Sequence, residues 1–585
     1  MSRKGIEAIY ALSPQQLGML FESLYTTGTT SATNTTGSGM HIEQKTFAFD
    51  DNWNMAAWRE SWQHVVDWHP ALRTAFVWRN QKEPLQAVMS YADIPFEQHD
   101  LGALDESARQ ERLATILRED RERGFVLTQA PLMRLMAIRM SDKSWVAVWA
   151  HHHILLDGWS LSIISRDVCN FYNARCRRLE WNPEPSRPYR DYIDWLARRD
   201  TREAETFWRG RLDGFFRPTP VGQPENAESG NDRVGKIAPA ALAAQGESTE
   251  RYSYRECRLP RNLLTALQSA GFAHGLTLNT LLQGAWAILL SRYSGQRDIV
   301  YGTTVSGRPP ELAGVERMVG LFITTLPLRL KIEPAKPLAI WLDQVQAEHL
   351  AMRQFEYCSA GQIHQWSEVP GTLPLYESVL VFENYPMDDT VRPTANREND
   401  FVGAQTRHAL TLLVSAEEEL VVRIIYDMRR FHGEATAHMI EHLWSVLAGM
   451  AENLQQPADT LADLIPREQI PAVRPPPRKG ARILPQTPTE GVLAQIWSEL
   501  LGLEEVGVTD NFFEYGGHSL LAIQLVSRVR STFQLDLPLH SFFDAPTVRD
   551  LAALIEAQLL DELAQLSEEE ARRAMGGIEE RTGAR

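Results

Sequence analysis

Three adjacent histidines, followed closely by an aspartate and a glycine, are the residues of this sequence best suited to chemistry. They form the segment HHHILLDG, residues 151–158, directly after an apolar run. Histidine titrates near neutral pH, so it can transfer protons, and it is also a common metal ligand. Neighbouring side chains of a strand point to opposite faces, so only His151 and His153 can share a side. We therefore expect no metal site here. A structural role at a strand end is the simpler alternative.

A second segment that could support chemistry lies near the other end of the chain. It reads DNFFEYGGHSL over residues 510–520, and a helical pattern runs from Ser519 to Phe533. Serine is favoured at helix starts, so capping alone could explain Ser519. The positive amino end of a helix also favours an attached phosphate. Apolar residues at core spacing in this helix are expected only to pack: Leu521, Leu525 and Val529.

The elements around these segments predict two kinds of structure. Before residue 466, strand-like apolar runs alternate with amphipathic helical patterns, which is typical of a mixed α/β fold. Residues 132–140 and 145–150 form a predicted hairpin that leads into the histidines. The helix after Gly158 has an apolar face that comprises Leu161, Ile164, Val168 and Phe171. Further strands are predicted at 299–305, 324–332 and 377–382, and further helices at 275–293 and 339–355. After residue 487, three helical patterns predict a small all-α bundle.

Three polar or proline-rich tracts divide the chain. The clearest is 466–487, which contains three consecutive prolines and is expected to be an extended, semi-rigid linker. Residues 216–251 are expected to cross between two lobes or to form a surface loop. Residues 26–39 lack the apolar side chains needed for packing and are expected to form a flexible loop.

Composition excludes several classes of protein. The chain has 585 residues, of which 44% are hydrophobic and 23% charged, which predicts a folded protein of several domains. Its net charge of −16 argues against nucleic-acid binding, which needs a basic surface. No apolar run reaches the roughly 18 residues of a membrane span. Four scattered cysteines do not indicate a disulfide framework. We therefore expect a cytoplasmic protein that binds no membrane.

Six motifs, in order along the chain, resemble those of the condensation domains of nonribosomal peptide synthetases, within the chloramphenicol acetyltransferase-like superfamily. They are SPQQLGML (13–20), HPALRTAF (69–76), HHILLDG (152–158), YRDYIDW (189–195), GTTVSGR (302–308) and VGLFITT (319–325). The resemblance covers residues 6–465 and implies a condensation domain over 1–465. It further implies two acetyltransferase-like lobes in a V, over about 1–215 and 250–465, with the histidine motif in a tunnel between them. The family usually has asparagine where Thr324 stands.

This resemblance implies roles for the residues of the histidine motif. His153 is the implied catalytic histidine, with His152 and Gly158 as further members of the catalytic motif. Asp157 is expected to be structural and to pair with Arg73. Such a pairing is physically reasonable because a buried carboxylate without a partner lowers the stability of the fold. The planar guanidinium of arginine can bind both oxygens of a carboxylate. Gly158 would allow a tight turn before the helix.

The segment around Ser519 resembles a peptidyl carrier protein. This resemblance covers about residues 488–560 and implies that Ser519 carries 4′-phosphopantetheine. Residues 466–487 are too few to contain an adenylation domain, which usually stands between these two domains in the family. The implied partners are therefore an adenylation enzyme acting in trans, a phosphopantetheinyl transferase and an upstream donor carrier on another polypeptide.

The implied reaction is amide formation between a donor thioester and the amino acid on the chain's own carrier. Ester formation with a hydroxyl acceptor remains an alternative, as does a catalytically weak scaffold that recruits other enzymes to the carrier. A heterocyclisation domain would have aspartates in place of the histidines, and an epimerisation domain would normally follow its carrier. The tail, residues 561–585, is expected to be a frayed end, with a docking segment for a downstream synthetase as the alternative.

Overall fold

The structure is a computed structural model of the 585-residue chain. It describes the chain except residues 1–4, 27–40, 79–80, 82, 225–251, 372, 385–407, 417–418, 432, 468–469, 471, 474–482, 502, 504, 513–518, 536, 538–541, 543–544 and 566–585. Most of the three tracts predicted at 26–39, 216–251 and 466–487 therefore lies outside the described residues. The same holds for the glycine loop before Ser519 and for most of the predicted tail.

The first part of the chain builds two sheets. Its strands are β1 (Ile6–Ala11), β2 (Ile42–Asp50), β3 (Thr74–Val77), β4 (Leu85–Met89), β5 (Phe96–Asp100), β6 (Met133–Ser141) and β7 (Ser144–His152). One sheet has the order β2-β7-β6-β5 and the other β1-β4-β3. Strand β5 runs parallel to β6, whereas β6–β7 and β7–β2 are antiparallel. The predicted hairpin before the histidines is thus confirmed as β6 and β7.

Helices lie between and after these strands along the chain. They are α1 (Pro14–Thr26), α2 (Met55–Trp68), α3 (Glu106–Arg123), α4 (Gly158–Cys176), α5 (Tyr189–Leu196) and α6 (Thr201–Leu212). Three residues of the predicted apolar face of α4, Leu161, Ile164 and Val168, are at most 5% exposed in the first core, whereas Phe171 is only half-buried and stacks on His64. This burial packs α4, which begins directly after the histidine loop, against the first core.

The second part of the chain builds a six-stranded sheet and a short two-stranded one. Its strands are β8 (Gln223–Pro224), β9 (Tyr252–Leu259), β10 (Asp298–Val305), β11 (Thr324–Lys331), β12 (Ser378–Glu383), β13 (Leu410–Ala416), β14 (Leu420–Asp427) and β15 (Ala472–Val473). The larger sheet has the order β11-β10-β12-β13-β14-β9, in which β12 is parallel to both neighbours. Strands β8 and β15 pair in parallel. The strands predicted at 299–305, 324–332 and 377–382 are confirmed.

The helices of the second part pack on the six-stranded sheet. They are α7 (Arg261–Ala273), α8 (Leu278–Ser294), α9 (Leu338–Arg353), α10 (Ala360–Trp366), α11 (Gly433–Glu452) and α12 (Ala458–Ala462). Helix α8 is apolar on every side and almost entirely buried, as expected for a helix inside a core. Helix α6 differs from the sequence expectation, which ended the first lobe near residue 215. Its apolar face, Ala204, Trp208 and Leu212, packs in the second core instead.

The C-terminal bundle consists of α13 (Pro488–Leu501), α14 (Ser519–Phe533) and α15 (Val548–Gln565). It has its own core, in which Trp497 is fully buried and meets Phe512 and Phe542 edge to face. The residues predicted to pack, Leu521, Leu525 and Val529, lie in this core. The described helices of the chain include none that combines the length and apolar character required to cross a bilayer.

Candidate active site

The histidine loop lies between the end of β7 and the start of α4. Strand β7 ends at His152, and Asp157 is the N-cap of α4, where its carboxylate accepts the N–H of Ser160 at 2.8 Å. Such a cap satisfies one of the free donors at the helix start. Asp157 therefore fixes where the loop ends as well as where the helix begins.

One ring nitrogen of His153 is engaged in a hydrogen bond within the loop. Its Nδ1 lies 2.6 Å from the carbonyl oxygen of Leu156, and its backbone N–H donates to the carbonyl of His41 at 2.8 Å. A carbonyl oxygen only accepts, so Nδ1 carries the proton in this contact. The neutral ring therefore has its lone pair on Nε2. The side chain is 19% exposed, so His153 is not sealed inside the core.

Glu43, on the neighbouring strand β2, faces two of the three histidines. Its Cα is in register with that of His151, and its carboxylate oxygens lie 3.1 Å from His151 Nε2 and 3.8 Å from His153 Nε2. Burial acts to raise the pKa of Glu43, but attraction to the protonated form of His153 and the contact with His151 outweigh it, so the pKa of this carboxyl lies below its usual range. The predicted alternation, with His151 and His153 on one side, is confirmed.

His152 points the other way and is fully buried. Its Nδ1 accepts the N–H of Ile154 at 3.2 Å, so Nε2 carries the proton and faces Ser23 Oγ at 3.3 Å. Burial lowers the pKa of His152 well below its ordinary value, and the ring stays neutral. With both nitrogens engaged, this side chain is placed to hold the loop rather than to meet a substrate. No metal-binding group of three or more histidine, cysteine or acidic side chains occurs in the described part of the chain.

Asp157 pairs with Arg308, and the expected pairing with Arg73 is wrong. Nη2 of Arg308 lies 3.2 Å from Asp157 Oδ1, and both side chains are at most 4% exposed. The other carboxylate oxygen accepts the backbone N–H groups of Phe322 and Ile323 at 3.0 and 3.3 Å. The buried charge is thus compensated by a cation and by several N–H donors.

Arg73 lies elsewhere and has its own partners. Its Nη1 contacts Glu7 at 2.7 Å, and its Nε donates to the carbonyl of Val66 at 3.2 Å. It therefore secures the end of α2 against β1 rather than the histidine loop. An arginine partner was expected correctly, but the resemblance indicated Arg73, and only the tertiary fold places Arg308 beside Asp157.

The later motifs converge on the same carboxylate. The carbonyl of Gly320 accepts the N–H of Asp157 at 3.3 Å, and the ring of Tyr189 packs so closely that a Cβ on Gly320 would lie 2.1 Å from it. Gly307 has φ +63°, and a Cβ there would lie 1.8 Å from the carbonyl oxygen of Phe322. These contacts explain why glycines occupy both positions. Three motifs that are distant in sequence thus build one support for Asp157.

Helix α1 joins the histidine loop to the rest of the site. Gln16 Nε2 lies 3.3 Å from the carbonyl oxygen of Ile154 in the loop. Gln15 Nε2 donates to Thr324 Oγ1 at the start of β11. Thr324, which stands where the family usually has asparagine, is therefore linked to the first part of the chain through Gln15.

The opposite face of α1 contacts the C-terminal bundle. Phe21 is 4% exposed and belongs to the core of the bundle, and Leu17 packs against it. Helix α14, whose first residue is Ser519, contacts both α1 and α10. Ser519 thus stands at the amino end of a helix, where free N–H groups suit a phosphate, so its position fits phosphopantetheine attachment. The structure brings its helix next to the element that supports the histidines.

Two residues of this site were not assigned by sequence reasoning. Arg308 was part of a recognised motif, but nothing in the motif indicated its partner. Glu43 carried no signal beyond being an acidic residue in a strand that pairs with β7. Strand pairing brings it to the histidines, and pairing across about a hundred residues is not readable from one sequence.

Comparison with known protein families agrees with this site. The family model for the condensation domain matches residues 6–469, and the model for the phosphopantetheine attachment site matches residues 491–555. The chain belongs to the condensation domain family. The second match makes the C-terminal bundle the domain to which 4′-phosphopantetheine is attached. Residues 470–490 separate the two matches, so the arrangement is a condensation domain followed directly by a carrier domain.

The chain is similar to parts of longer synthases. The chain is 30% identical to tyrocidine synthase 2 of Brevibacillus parabrevis over 460 residues, which is 77% of this chain and 12% of that protein. It is 33% identical to the chondramide synthase cmdD of Chondromyces crocatus over 435 residues, which is 74% of this chain and 11% of that protein. It is 29% identical to surfactin synthase subunit 3 of Bacillus subtilis (strain 168), covering 80% of this chain and 35% of that protein. The chain therefore spans a small part of the length of these relatives.

Solved structures share the fold. The first condensation domain of the calcium-dependent antibiotic synthetase, in complex with a substrate analogue, matches 77% of this chain and 99% of its own at 16% identity, with a TM-score of 0.59. A four-domain nonribosomal peptide synthetase bound to AMP and glycine covers 90% of this chain and 39% of its own, with 16% identity and a TM-score of 0.60. The predicted fold class, acetyltransferase-like α/β with a helical carrier region, is confirmed.

Proposed function

We propose that this chain forms an amide bond between a donor acyl or peptidyl thioester and an amino acid held as a thioester on Ser519. The observation that carries the proposal is the placement of α1. One face of this helix bonds the loop that presents His153, and the other packs against the carrier domain whose helix α14 begins at Ser519. The group attached to Ser519 would supply the thiol that bears the acceptor amino acid.

His153 is the proposed proton acceptor. The amine nitrogen of the acceptor attacks the donor carbonyl carbon and forms the C–N bond, while the donor C–S bond breaks. His153 Nε2 takes the proton that the amine loses, and that proton ends on the departing sulfur. The hydrogen bond from Nδ1 to Leu156 supports this assignment because it leaves the lone pair on Nε2.

Positioning contributes more to this reaction than proton transfer. An α-amino group has a pKa of about 7.7–8, so part of it is already unprotonated at neutral pH. General-base catalysis is worth roughly 10²–10⁴-fold, whereas alignment of two bound reactants reaches effective molarities of about 10⁵–10⁸ M. We therefore propose that Asp157, Arg308 and Gly158 act by holding the loop in place.

The amino acid on Ser519 is proposed to come from an adenylation enzyme outside this pair of domains. Residues 470–490 between the two family matches support this, because they are far too few for such a domain. The donor is proposed to arrive on a second carrier, and a phosphopantetheinyl transferase is the proposed modifying enzyme. The full chain, pantetheinylated and given ATP and amino acids alone, should then remain unloaded.

The decisive experiment measures amide formation in the full chain after pantetheinylation and loading. Ser519→Ala should prevent the mass increase on treatment with the transferase and coenzyme A. His153→Ala should lower the condensation rate by about a hundredfold. His99→Ala, on the edge strand β5, is the matched control and should keep the wild-type rate. An unimpaired rate for His153→Ala, or pantetheinylation of a residue other than Ser519, would overturn the proposal.

A further inference from the structure

The carboxylate of Glu43 lies between two histidines of the motif and has no assigned role. Strand pairing of β2 with β7 sets its Cα opposite that of His151. One oxygen lies 3.1 Å from His151 Nε2, and the other lies 3.8 Å from His153 Nε2. The Glu43 side chain is 21% exposed, so it is mostly shielded from water. The arrangement directs one negative charge at the nitrogen proposed to take the proton.

We propose that Glu43 is a positioning residue whose carboxylate stabilises the positive charge that His153 gains when it accepts the proton of the acceptor amine. This inference rests on the proposed role of His153. In the step described above, the amine proton moves to Nε2, and the ring becomes a cation until it gives the proton to the departing sulfur. A fixed negative charge nearby favours that cation, and the interaction is strong where water is excluded.

The distance between Glu43 and His153 is suited to electrostatic support of the ring and is too long for a direct hydrogen bond. At 3.8 Å, Glu43 does not occupy the lone pair of His153 Nε2, so an amine can still approach it. Its other oxygen rests against His151, which limits rotation of the carboxylate. Burial lowers the pKa of His151, so that ring stays neutral and does not cancel the charge of Glu43.

The remaining contacts of His153 strengthen the argument. Nδ1 is committed to the carbonyl of Leu156, so Nε2 is the nitrogen at which charge changes during reaction. Among the ion pairs of the described residues, Glu43 is the acidic partner of His153. The carboxylate of Asp157 is already bound to Arg308 and to backbone N–H groups, so it serves the loop and not the ring.

The test compares near-isosteric variants in the pantetheinylated, loaded full chain. Glu43→Gln removes the charge but keeps the shape, and should lower kcat about tenfold or more while KM for the donor changes little. Glu43→Asp keeps the charge and should retain more of the rate than Glu43→Gln. Glu97→Gln is the matched control. Glu97 and the histidine it faces, His99, both lie on β5, which belongs to the same sheet as β2, and this variant should keep the wild-type kcat.

A double-mutant cycle separates this role from a structural one. In a His153→Ala background, Glu43→Gln should change the rate by less than about twofold, because the charge it supports is gone. The same fold loss with and without His153, a wild-type kcat for Glu43→Gln, or a more active Gln than Asp variant would each overturn the proposal. If His153→Ala alone is fully active, the proposed function fails instead, so the two failures are distinguishable.

Discussion

Asp157 and Arg308 form a buried ion pair across 151 residues of sequence, with 3.2 Å between Oδ1 and Nη2. Asp157 ends the histidine loop of the first part of the chain, and Arg308 follows β10 of the second part. Arg308 also donates to the carbonyls of Val315 and Met318. This single guanidinium therefore joins the histidine loop to the segment that supports it.

Removal of Arg308 should be strongly destabilising. Arg308→Met would leave the Asp157 carboxylate buried without its cation, which costs about 3–5 kcal/mol of the free energy of unfolding. Urea unfolding followed by tryptophan fluorescence measures the loss. Asp157→Asn in addition should recover part of it, because no charge is then left unpaired. Arg317→Met, in the exposed pair with Glu184, should cost less than about 1 kcal/mol, and an equal loss for both arginines would contradict this assignment.

Two glycines with similar backbone angles should respond differently to alanine. Gly307 and Gly314 have φ of +63° and +80°, so alanine is strained at either, at about 1–2 kcal/mol. At Gly307 the new Cβ would also meet the backbone carbonyl of Phe322, whereas at Gly314 it has space. Gly307→Ala should therefore lower the unfolding midpoint clearly more than Gly314→Ala and also reduce condensation. Similar midpoints would mean that the close approach to Phe322 is not structurally important.

Phe21 should control how the carrier domain rests on α1. Phe21→Ala removes a buried ring from this contact, which should weaken it by about 1–3 kcal/mol. Condensation with the chain's own carrier should slow, whereas condensation with a small soluble acceptor thioester should not. Phe272→Ala, 90% exposed on α7, is the control and should change neither rate. Equal loss with both acceptors would show that Phe21 acts on the histidine loop instead.

His349 should make the protein sensitive to acid. Burial, with help from nearby Arg353, lowers the pKa of His349 to about 4 in the folded chain. In the unfolded chain the pKa of this histidine is about 6.5, so the unfolded chain takes up a proton at a higher pH than the folded chain does. The free energy of unfolding is therefore unaffected by His349 above pH 6.5 and decreases as the pH falls from about 6.5 to 4. His349→Gln cannot titrate, so its unfolding midpoint should depend less on pH over this interval. The same pH dependence in both proteins would exclude His349 as a contributor.

Local patterns in the sequence were sufficient for much of the fold. The hairpin of β6 and β7, the apolar face of α4 and the three helices of the carrier each depend on residues close in sequence, and all were predicted. The first lobe was expected to end near residue 215, after α6, but the apolar face of α6, with Trp208 at its centre, packs in the second core. The periodicity of apolar residues indicates that one face of a helix is buried, but it does not indicate which core that face joins.

In the candidate site, too, the local features could be predicted from the sequence and the contacts between distant residues could not. The alternation of His151 and His153 follows from strand geometry, and the structure has it. The partner of Asp157 does not follow, because Arg73 and Arg308 are equally suitable in type and only the tertiary fold brings one of them close. The place of Glu43 depends on the register between β2 and β7, which is set over about a hundred residues.

The short pairing of β15 with β8 limits how far the carrier domain can travel. It fixes Val473 to β8 of the condensation domain, and the carbonyl of Ile483 already accepts the N–H of Val508 in the carrier bundle, so nine residues, 474–482, separate the two anchored points. Even fully extended, this stretch of chain spans at most about 30–35 Å. A partner confined to such a radius returns at an effective concentration that reaches the millimolar range for short linkers. We infer that docking of the carrier domain on α1 can be weak and still be occupied for much of the time, because the short connection keeps the carrier domain close to α1.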